Sequence, residues 1–231
     1  MDRGKKYEKA RSAVDLSGIK PVREGLKAIK ELAYANFDES VDVDINLGID
    51  ASRGDQNVRG SILLPHGRGK DSKVLVFAKG EHADAAKKAG ADYVGEQDLI
   101  EKIRGGWMDF DFAVATPDMM AAVGKVAKIL GPRGLLPNKK LGTVTFDIGS
   151  MVSDLKKGRV FFKSDKQGLV HFSVGKESFE VEKLLENVKA FLKALVAAKP
   201  QAAKGVYLKK MTLTSTMGVG IELNPEEVLK A

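Results

Sequence analysis

The feature that most constrains the fold of this 231-residue chain is a change of hydrophobic pattern near residue 73, which reverses near residue 159. Between these points, near-continuous apolar runs such as VLVFA and FDFAVAT alternate with helical segments such as EHADAAKKAGA. Apolar strands separated by helices are typical of a parallel sheet that is covered on both faces. We therefore predict that residues 67–158 form an inserted three-layer Rossmann-like α/β domain.

The two ends of the chain follow a different pattern. In residues 41–47, Val, Ile and Leu alternate strictly with Asp and Asn, which predicts a half-buried strand with one polar face. The first 66 residues alone offer too few strands for a stable domain, whereas residues 159–231 supply further strands and an amphipathic helix over 179–198. We therefore predict one discontinuous, two-layer αβ domain built from residues 1–66 and 159–231.

Charge and composition limit the classes of function. A net charge of +7 and a pI of about 9.3 favour nucleic acid as a partner, although charge alone fits an ordinary basic protein equally well. The chain has no cysteine, which excludes thiolate metal sites and cysteine nucleophiles. It also lacks the ~20 consecutive apolar residues of a membrane-spanning helix and the apolar stretch of a leader peptide. These observations favour a cytoplasmic protein.

Candidates for catalysis or cofactor binding are weak. His66, His82 and His171 are spread over both predicted domains, without metal-site or triad spacing. The turn KGEHAD after VLVFA lacks G-x-G-x-x-G, and GRGKDSK does not complete a P-loop because Leu64 and Asp71 occupy two required positions. We expect no enzyme activity, no cofactor and no metal. A nucleotide-dependent α/β enzyme with an accessory domain is the alternative interpretation.

The segment GPRGLLPNKKLGT, residues 131–143, is a non-periodic loop that contains three glycines and two prolines. One interpretation is a rigid surface turn, which Leu135 and Leu136 would anchor to the core. The other is a basic loop of fixed shape that contacts phosphates or a tRNA. Its candidate contact residues are Arg133, Lys139 and Lys140.

The segment TSTMGVG, residues 214–220, combines hydroxyl groups, a thioether and glycines at a bend between strands. On chemistry alone a β-bulge is the favoured interpretation. The functional alternative is a contact with RNA, in which hydroxyls bind ribose or phosphate and the thioether offers a soft apolar surface. The candidate residues are Ser215, Thr216, Met217 and Gly218.

Several segments carry a specific resemblance to a known family. LGIDASRGDQNVRGSILLPHG (47–67), GPRGLLPNKKLGT and STMGVG resemble the first-numbered protein of the large ribosomal subunit, the lateral-stalk protein. The similarity continues in order through GRVFFKSDKQGLVHFSVGKESF (158–179) and KGVYLKKMTLTSTMG (204–218). It covers nearly the full chain, and the length is similar to that of a bacterial member.

The resemblance implies a structural, ribosome-associated protein that binds large-subunit ribosomal RNA at the lateral stalk, beside the exit-site tRNA. It further implies a monomer when free of the ribosome and a repressor that binds its own operon mRNA. A free translational repressor without a ribosomal role is a third interpretation. Residue by residue, the resemblance implies an RNA-binding face of Phe37, Asp42, Lys166, His171, Thr216, Met217 and Gly218, to which we add Arg53, Lys163 and Ser215.

This sequence departs from the family pattern at three places. Ala51 and Ser52 replace a common proline and basic residue before Arg53, which weakens the case for a phosphate contact there. Phe161 and Lys163 stand where Glu and Arg are usual, so the second position keeps its charge but loses the planar guanidinium. Arg68 replaces a common small residue.

One feature of the sequence has no explanation: Asp44 shares the polar strand face with Asp42, although carboxylates repel phosphates.

Overall fold

The structure is a computed structural model that describes residues 4–13 and 18–225, and these residues form a mixed α/β protein. Its α-helices are α1 (Lys5–Ser12), α2 (Val22–Leu32), α3 (Gly80–Lys88), α4 (Gln97–Arg104), α5 (Met120–Val123), α6 (Ala127–Leu130), α7 (Ile148–Lys156) and α8 (Val181–Ala197). Its strands are β1 (Ser40–Leu47), β2 (Arg59–Leu63), β3 (Val74–Phe77), β4 (Tyr93–Gly95), β5 (Phe112–Ala115), β6 (Arg159–Lys163), β7 (Leu169–Lys176), β8 (Leu208–Ser215) and β9 (Ile221–Leu223).

The chain divides into two compact units, and unit 1 comprises residues 1–69 and 161–231. Its main sheet is antiparallel, with strand order β7-β1-β8-β9. The alternation in β1 appears as predicted: Val41, Val43 and Ile45 are fully buried, while the aspartates between them point to the opposite face. Helices α2 and α8 pack against this sheet and cover its apolar face. The other face is left polar.

Aromatic packing holds α8 against β7. The rings of Phe172 in β7 and Phe191 in α8 stack with centroids 4.0 Å apart, and both side chains are buried. Phe162 in β6 meets the same Phe191 ring edge-on at 5.7 Å. One aromatic side chain of α8 therefore joins the main sheet to the two-stranded sheet formed by β2 and β6.

A buried asparagine on α8 fixes the segment that follows β2. Asn187 has no exposed surface, and its side-chain oxygen accepts a hydrogen bond from the backbone N–H of His66 at 3.2 Å. Its amide nitrogen donates to the carbonyls of Gly67, at 3.0 Å, and Val174, at 2.7 Å. Buried polar groups need such partners, so Asn187 ties residues 66–67 to both α8 and β7.

Unit 2, residues 70–160, contains a parallel sheet with strand order β4-β3-β5. All four residues of β3 are buried, as expected for a strand with layers on both sides. Leu75 and Phe77 join an apolar cluster with Ile103, Val123 and Leu130 from α4, α5 and α6. Helices α3 and α7 pack together and also contact β3.

Candidate nucleic-acid interface

The polar face of the unit 1 sheet carries two of the predicted site residues, Asp42 and His171, on neighbouring strands. Asp42 lies between Ser173 of β7 and Thr214 of β8, and Asp44 lies between His171 and Thr212. The alternation of β1 therefore places both aspartates on the face opposite to the one that α2 and α8 cover. This arrangement gives a line of hydrogen-bonding groups across three strands.

Asp44 is paired with His171 on this face. The Nδ1 atom of His171 lies 2.6 Å from the Oδ1 atom of Asp44, and the two residues face each other across β1 and β7. The carboxylate therefore faces the imidazole and orients the ring, which remains 60% exposed. This contact explains a residue whose role was unclear in the sequence.

Asp42 occupies a more enclosed position. Burial raises its pKa above the ordinary value of 3.8, and the negative charge of Asp44 acts in the same direction. A hydrogen bond with the side chain of Ser173 and the charges of Lys176 and Arg68 oppose this shift without cancelling it. The Asp42 side chain therefore carries its charge less readily than an exposed aspartate would.

The bend of residues 215–218 follows β8 and is held by the buried carboxylate of Glu39. Oε2 of Glu39 accepts a hydrogen bond from the backbone N–H of Met217 at 3.0 Å, and Oε1 accepts one from the N–H of Ala35 at 3.1 Å. Burial acts to raise the pKa of Glu39, but hydrogen bonds from Met217, Ser215 and Ala35 outweigh it and bring the pKa below 4.5. Glu39 is thus a buried carboxylate that these donors keep ionised.

Further hydrogen bonds attach the same bend to residues 34–40. The N–H of Ser40 donates to Oγ1 of Thr216 at 2.9 Å, and the N–H of Thr216 donates to the carbonyl of Ser40 at 3.1 Å. The hydroxyl of Tyr34 donates to the carbonyl of Met217 at 2.7 Å. A Cβ atom on Gly218 would lie 2.2 Å from Oγ of Ser215, so only glycine fits there without movement.

These contacts separate the four predicted bend residues into two groups. Met217 is 50% exposed and Gly218 is half-buried, so both keep some surface that a ligand can reach. Ser215 is 3% exposed and its hydroxyl bonds to Glu39, which makes it a support of the bend rather than the surface group that we predicted. The hydroxyl of Thr216 already accepts a hydrogen bond from Ser40.

A groove of about 730 Å³ lies beside the bend. Its walls come from the bend, from the polar sheet face and from the first helix. The residues that line it are Gly4, Lys6, Tyr7, Tyr34, Asp42, Thr214, Ser215, Thr216, Met217 and Gly218. It thus unites five predicted site residues, Asp42 and the four of the bend, in one concave surface.

Two other predicted residues, Lys163 and Lys166, lie at a second opening, a cleft of about 430 Å³ that Asn57 and Arg59 also line. Asp165 lines the cleft too, but its carboxylate accepts hydrogen bonds from the backbone N–H groups of its own turn. Within residues 4–13 and 18–225, Lys163, Lys166 and Arg59 make no ion pair. The cleft is therefore positively charged.

The remaining candidates lie apart from both openings. Phe37 is 54% exposed in the loop before β1, and Arg53 pairs with Asp50 at 3.5 Å on the surface of the loop after β1. Neither residue lines the groove or the cleft.

The basic loop 131–143 belongs to unit 2. Leu135 and Leu136 pack against the unit 2 core, as expected for a rigid turn. Asn138 shapes the loop: its side chain accepts from the N–H of Lys140 at 2.8 Å, and its own N–H donates to Oγ1 of Thr143 at 2.7 Å. Lys139 and Lys140 are exposed on the short 3₁₀ turn Lys139–Leu141, and Arg133 is exposed before it.

Among the residues that were not predicted from the sequence, Tyr34, Asn57 and Arg59 line the two openings, and Glu39 supports the bend. Glu39 sits in the polar run FDES, where nothing distinguishes a buried acid from its exposed neighbour Asp38. Arg59 and Asn57 lie in the quoted segment 47–67, but no pattern indicated which of its basic or amide groups would face a cleft. Their roles depend on contacts with distant parts of the chain.

Two further features were sought among the described residues. None of their helices is long and apolar enough to cross a membrane. Among these same residues, no group of three or more His, Cys, Asp or Glu side chains is arranged to hold a metal ion.

Comparison with known families identifies the chain. A family model described as the ribosomal protein L1p/L10e family matches residues 29–219, which is most of the chain and includes the groove's bend and the basic cleft. Proteins of this family are structural components of the large ribosomal subunit that bind ribosomal RNA and are not enzymes. This finding excludes the enzyme interpretation and confirms the resemblance. The chain belongs to the ribosomal protein L1p/L10e family, and it is a ribosome-associated, cytoplasmic protein that binds ribosomal RNA.

Proposed function

We propose that unit 1 is a discontinuous RNA-binding domain and that unit 2 is a Rossmann-like domain inserted into it. The boundaries at residues 69/70 and 160/161 lie close to the predicted ones at 66/67 and 158/159. Support comes from the two groups of contacts that join the chain ends: β1 pairs with β7 and β8, and the bend at 215–218 bonds to residues 34–40.

The groove beside the bend is the proposed site for a folded segment of large-subunit ribosomal RNA at the lateral stalk, near the tRNA exit site. The single observation that carries this assignment is a bend whose backbone is fixed by Glu39, Ser40 and Tyr34, while its thioether is exposed. A surface held in one shape recognises the shape of a folded RNA, and Met217 supplies an apolar contact for a base or ribose.

The cationic cleft around Lys163, Lys166 and Arg59 is the proposed phosphate-binding part of the same interface. Phosphate contacts contribute affinity without reading sequence, whereas the groove contributes selectivity for shape. His171 and Phe37, both exposed, are available for stacking or hydrogen bonding to bases. In this scheme Arg53 is a peripheral contact, because Asp50 neutralises part of its charge.

We further propose that the same surface binds a similar fold in the operon mRNA and so represses translation of the operon. Basic residues Arg133, Lys139 and Lys140 of the unit 2 loop would contact exit-site tRNA. The free protein would act as a monomer. If one surface serves both RNAs, unlabelled operon mRNA must displace a labelled ribosomal RNA fragment competitively.

The decisive experiment measures the binding of a stalk ribosomal RNA fragment to Met217→Asp and Val206→Asp. Both wild-type side chains are exposed and apolar, at 50% and 70%, and they flank opposite ends of β8. We expect Met217→Asp to weaken binding at least tenfold, because a carboxylate would face phosphates, and Val206→Asp to bind like the wild type. Equal affinity of the wild-type protein for an unstructured RNA of the same length would refute recognition by shape.

A further inference from the structure

Helix α1 is strongly basic but weakly packed. Over its eight residues it carries four basic side chains, Lys5, Lys6, Lys9 and Arg11, and one acidic side chain, Glu8. Ala10 is its only buried residue, and Tyr7 is partly covered. Burial of a single alanine contributes little stability, so the packing of α1 does not explain its composition.

The placement of α1 puts this charge at the proposed RNA site. Lys6 and Tyr7, together with Gly4 before the helix, line the same groove as Thr216, Met217 and Gly218. Lys6 itself is exposed, and within residues 4–13 and 18–225 its ammonium group forms no ion pair. The groove therefore has a cationic wall that faces the shape-selective bend.

We infer that α1 forms a further part of the RNA interface, in which Lys6 binds a phosphate of the RNA strand that lies in the groove. This inference rests on the proposed function, and it adds an element that the sequence analysis did not consider. The bend alone offers hydroxyl, thioether and backbone groups, and Asp42 adds negative charge on the sheet side. A nucleic-acid backbone in this groove needs a cation beside it, and Lys6 is the basic residue among those that line it.

The partner is RNA rather than an acidic protein because the groove continues a surface that already has the groups for ribose and base contacts. Phosphates occur at each nucleotide, so a strand that reaches the bend must also pass the adjoining wall. An ammonium group neutralises such a phosphate as a point charge and does not require one fixed orientation.

The test is the salt dependence of binding between the full chain and a stalk ribosomal RNA fragment. The variants are Lys6→Ala, Lys6→Glu and Lys6→Arg, with Lys193→Ala, an exposed lysine of α8, as the matched control. Loss of one phosphate contact should reduce the slope of log K against log salt by about 0.7–0.9. We expect Lys6→Ala to show this reduction and a several-fold weaker affinity, Lys6→Glu a larger loss, and Lys6→Arg nearly wild-type binding.

The outcomes separate this inference from the proposed function. If Lys6→Glu retains the wild-type affinity and slope while Met217→Asp loses binding, α1 is not part of the interface although the groove is. If Lys193→Ala lowers the slope as much as Lys6→Ala does, the effect reflects overall charge and the inference is wrong. If the wild-type protein does not prefer the stalk fragment, the proposed function itself fails. Because Lys6 is exposed, thermal unfolding should be the same for all variants.

Discussion

The carboxylate of Glu39 and the backbone N–H of Met217 are joined by a hydrogen bond of 3.0 Å. Glu39 immediately precedes β1, and Met217 lies in the bend after β8, so this bond fixes the bend from the opposite end of the sequence. Glu39 has no exposed surface, which removes competition from water. The exposed thioether of Met217 is therefore displayed on a backbone that the fold itself holds in place.

We expect Glu39→Gln to weaken RNA binding several-fold or more while the domain remains folded. The substitution keeps the shape of the side chain, but it removes the charge and places an amide donor opposite the N–H of Met217 or Ala35. Loss of a charged acceptor in a buried site costs about 1–3 kcal/mol. Binding should be measured by titration and stability by chemical unfolding. Glu31→Gln, an exposed position on α2, is the matched control and should match the wild type in both.

The lowered pKa of Glu39 also predicts how the stability of the wild type and of Glu39→Gln depends on pH. A carboxyl whose folded pKa lies below its unfolded value stabilises the protein above pH 4.5, and this contribution is lost as the pH falls through the folded pKa. Glu39→Gln should therefore reduce the acid sensitivity of unfolding. If stability falls at acid pH in the variant just as it does in the wild type, the ionised carboxylate of Glu39 does not contribute to stability.

The Asp44–His171 contact predicts an unusual pair of results for RNA binding. Asp44→Asn should leave affinity unchanged or raise it, because it removes a negative charge from the proposed interface. His171→Ala should weaken binding more than the double variant with Asp44→Asn, since the single variant exposes Asp44 without its partner. A double-mutant cycle measures this coupling, for which we expect about 0.5–1 kcal/mol at such an exposed pair. Strictly additive effects would contradict a functional pairing.

Asn187 is expected to matter for stability rather than for RNA contact. Asn187→Leu leaves the carbonyls of Gly67 and Val174 and the N–H of His66 without their partner, and should cost about 2–4 kcal/mol. Denaturant unfolding of unit 1 measures this loss. Asn46→Ala, a partly exposed position on the polar face of β1, should cost much less. A change below 1 kcal/mol for Asn187→Leu would mean that water or nearby groups replace these bonds.

The raised pKa of Tyr207 predicts how the stability of the protein changes at alkaline pH. Its side chain is buried, its hydroxyl donates to the carbonyl of Leu195 at 3.2 Å, and burial raises its pKa from 10.0 to about 12. Because the folded pKa is raised, the contribution of Tyr207 to stability is fully present below pH 10. It declines at higher pH, where the phenol ionises in the unfolded chain before it does so in the folded protein. Linkage gives a decline of about 1 kcal/mol by pH 11. Tyr207→Phe should remove this part of the decline, which is read as the difference between the two unfolding curves across pH.

The sequence predicted those features that depend on local periodicity. The alternation of Val41 to Leu47 correctly indicated a strand with one buried and one polar face, and the apolar run at 74–77 indicated a strand buried on both sides. The mixed α/β class followed from these patterns. A buried face requires an apolar residue at every second position of a strand and at every third or fourth position of a helix. This spacing can be recognised in the sequence.

The parts that the sequence did not reveal depend on pairing between distant residues. Ser215 and Thr216 were both predicted to contact RNA through their hydroxyls. Thr216 is exposed, although its hydroxyl also accepts a hydrogen bond from Ser40, whereas Ser215 is buried against Glu39. Asp44 lacked an explanation until its cross-strand neighbour was known to be His171. Neither the register of β1 with β7 nor that with β8 follows from the local pattern, which fixes only the face of each residue.

The bond between Glu39 and Met217 has a consequence for the order of events during synthesis. The two residues are 178 positions apart, so the bend acquires its shape only after both β1 and β8 have been made. A nascent chain that contains β1 and unit 2, but not β8, has no such surface. If the bend recognises RNA as proposed, that recognition begins only once β8 and the bend after it have been synthesised and paired with β1.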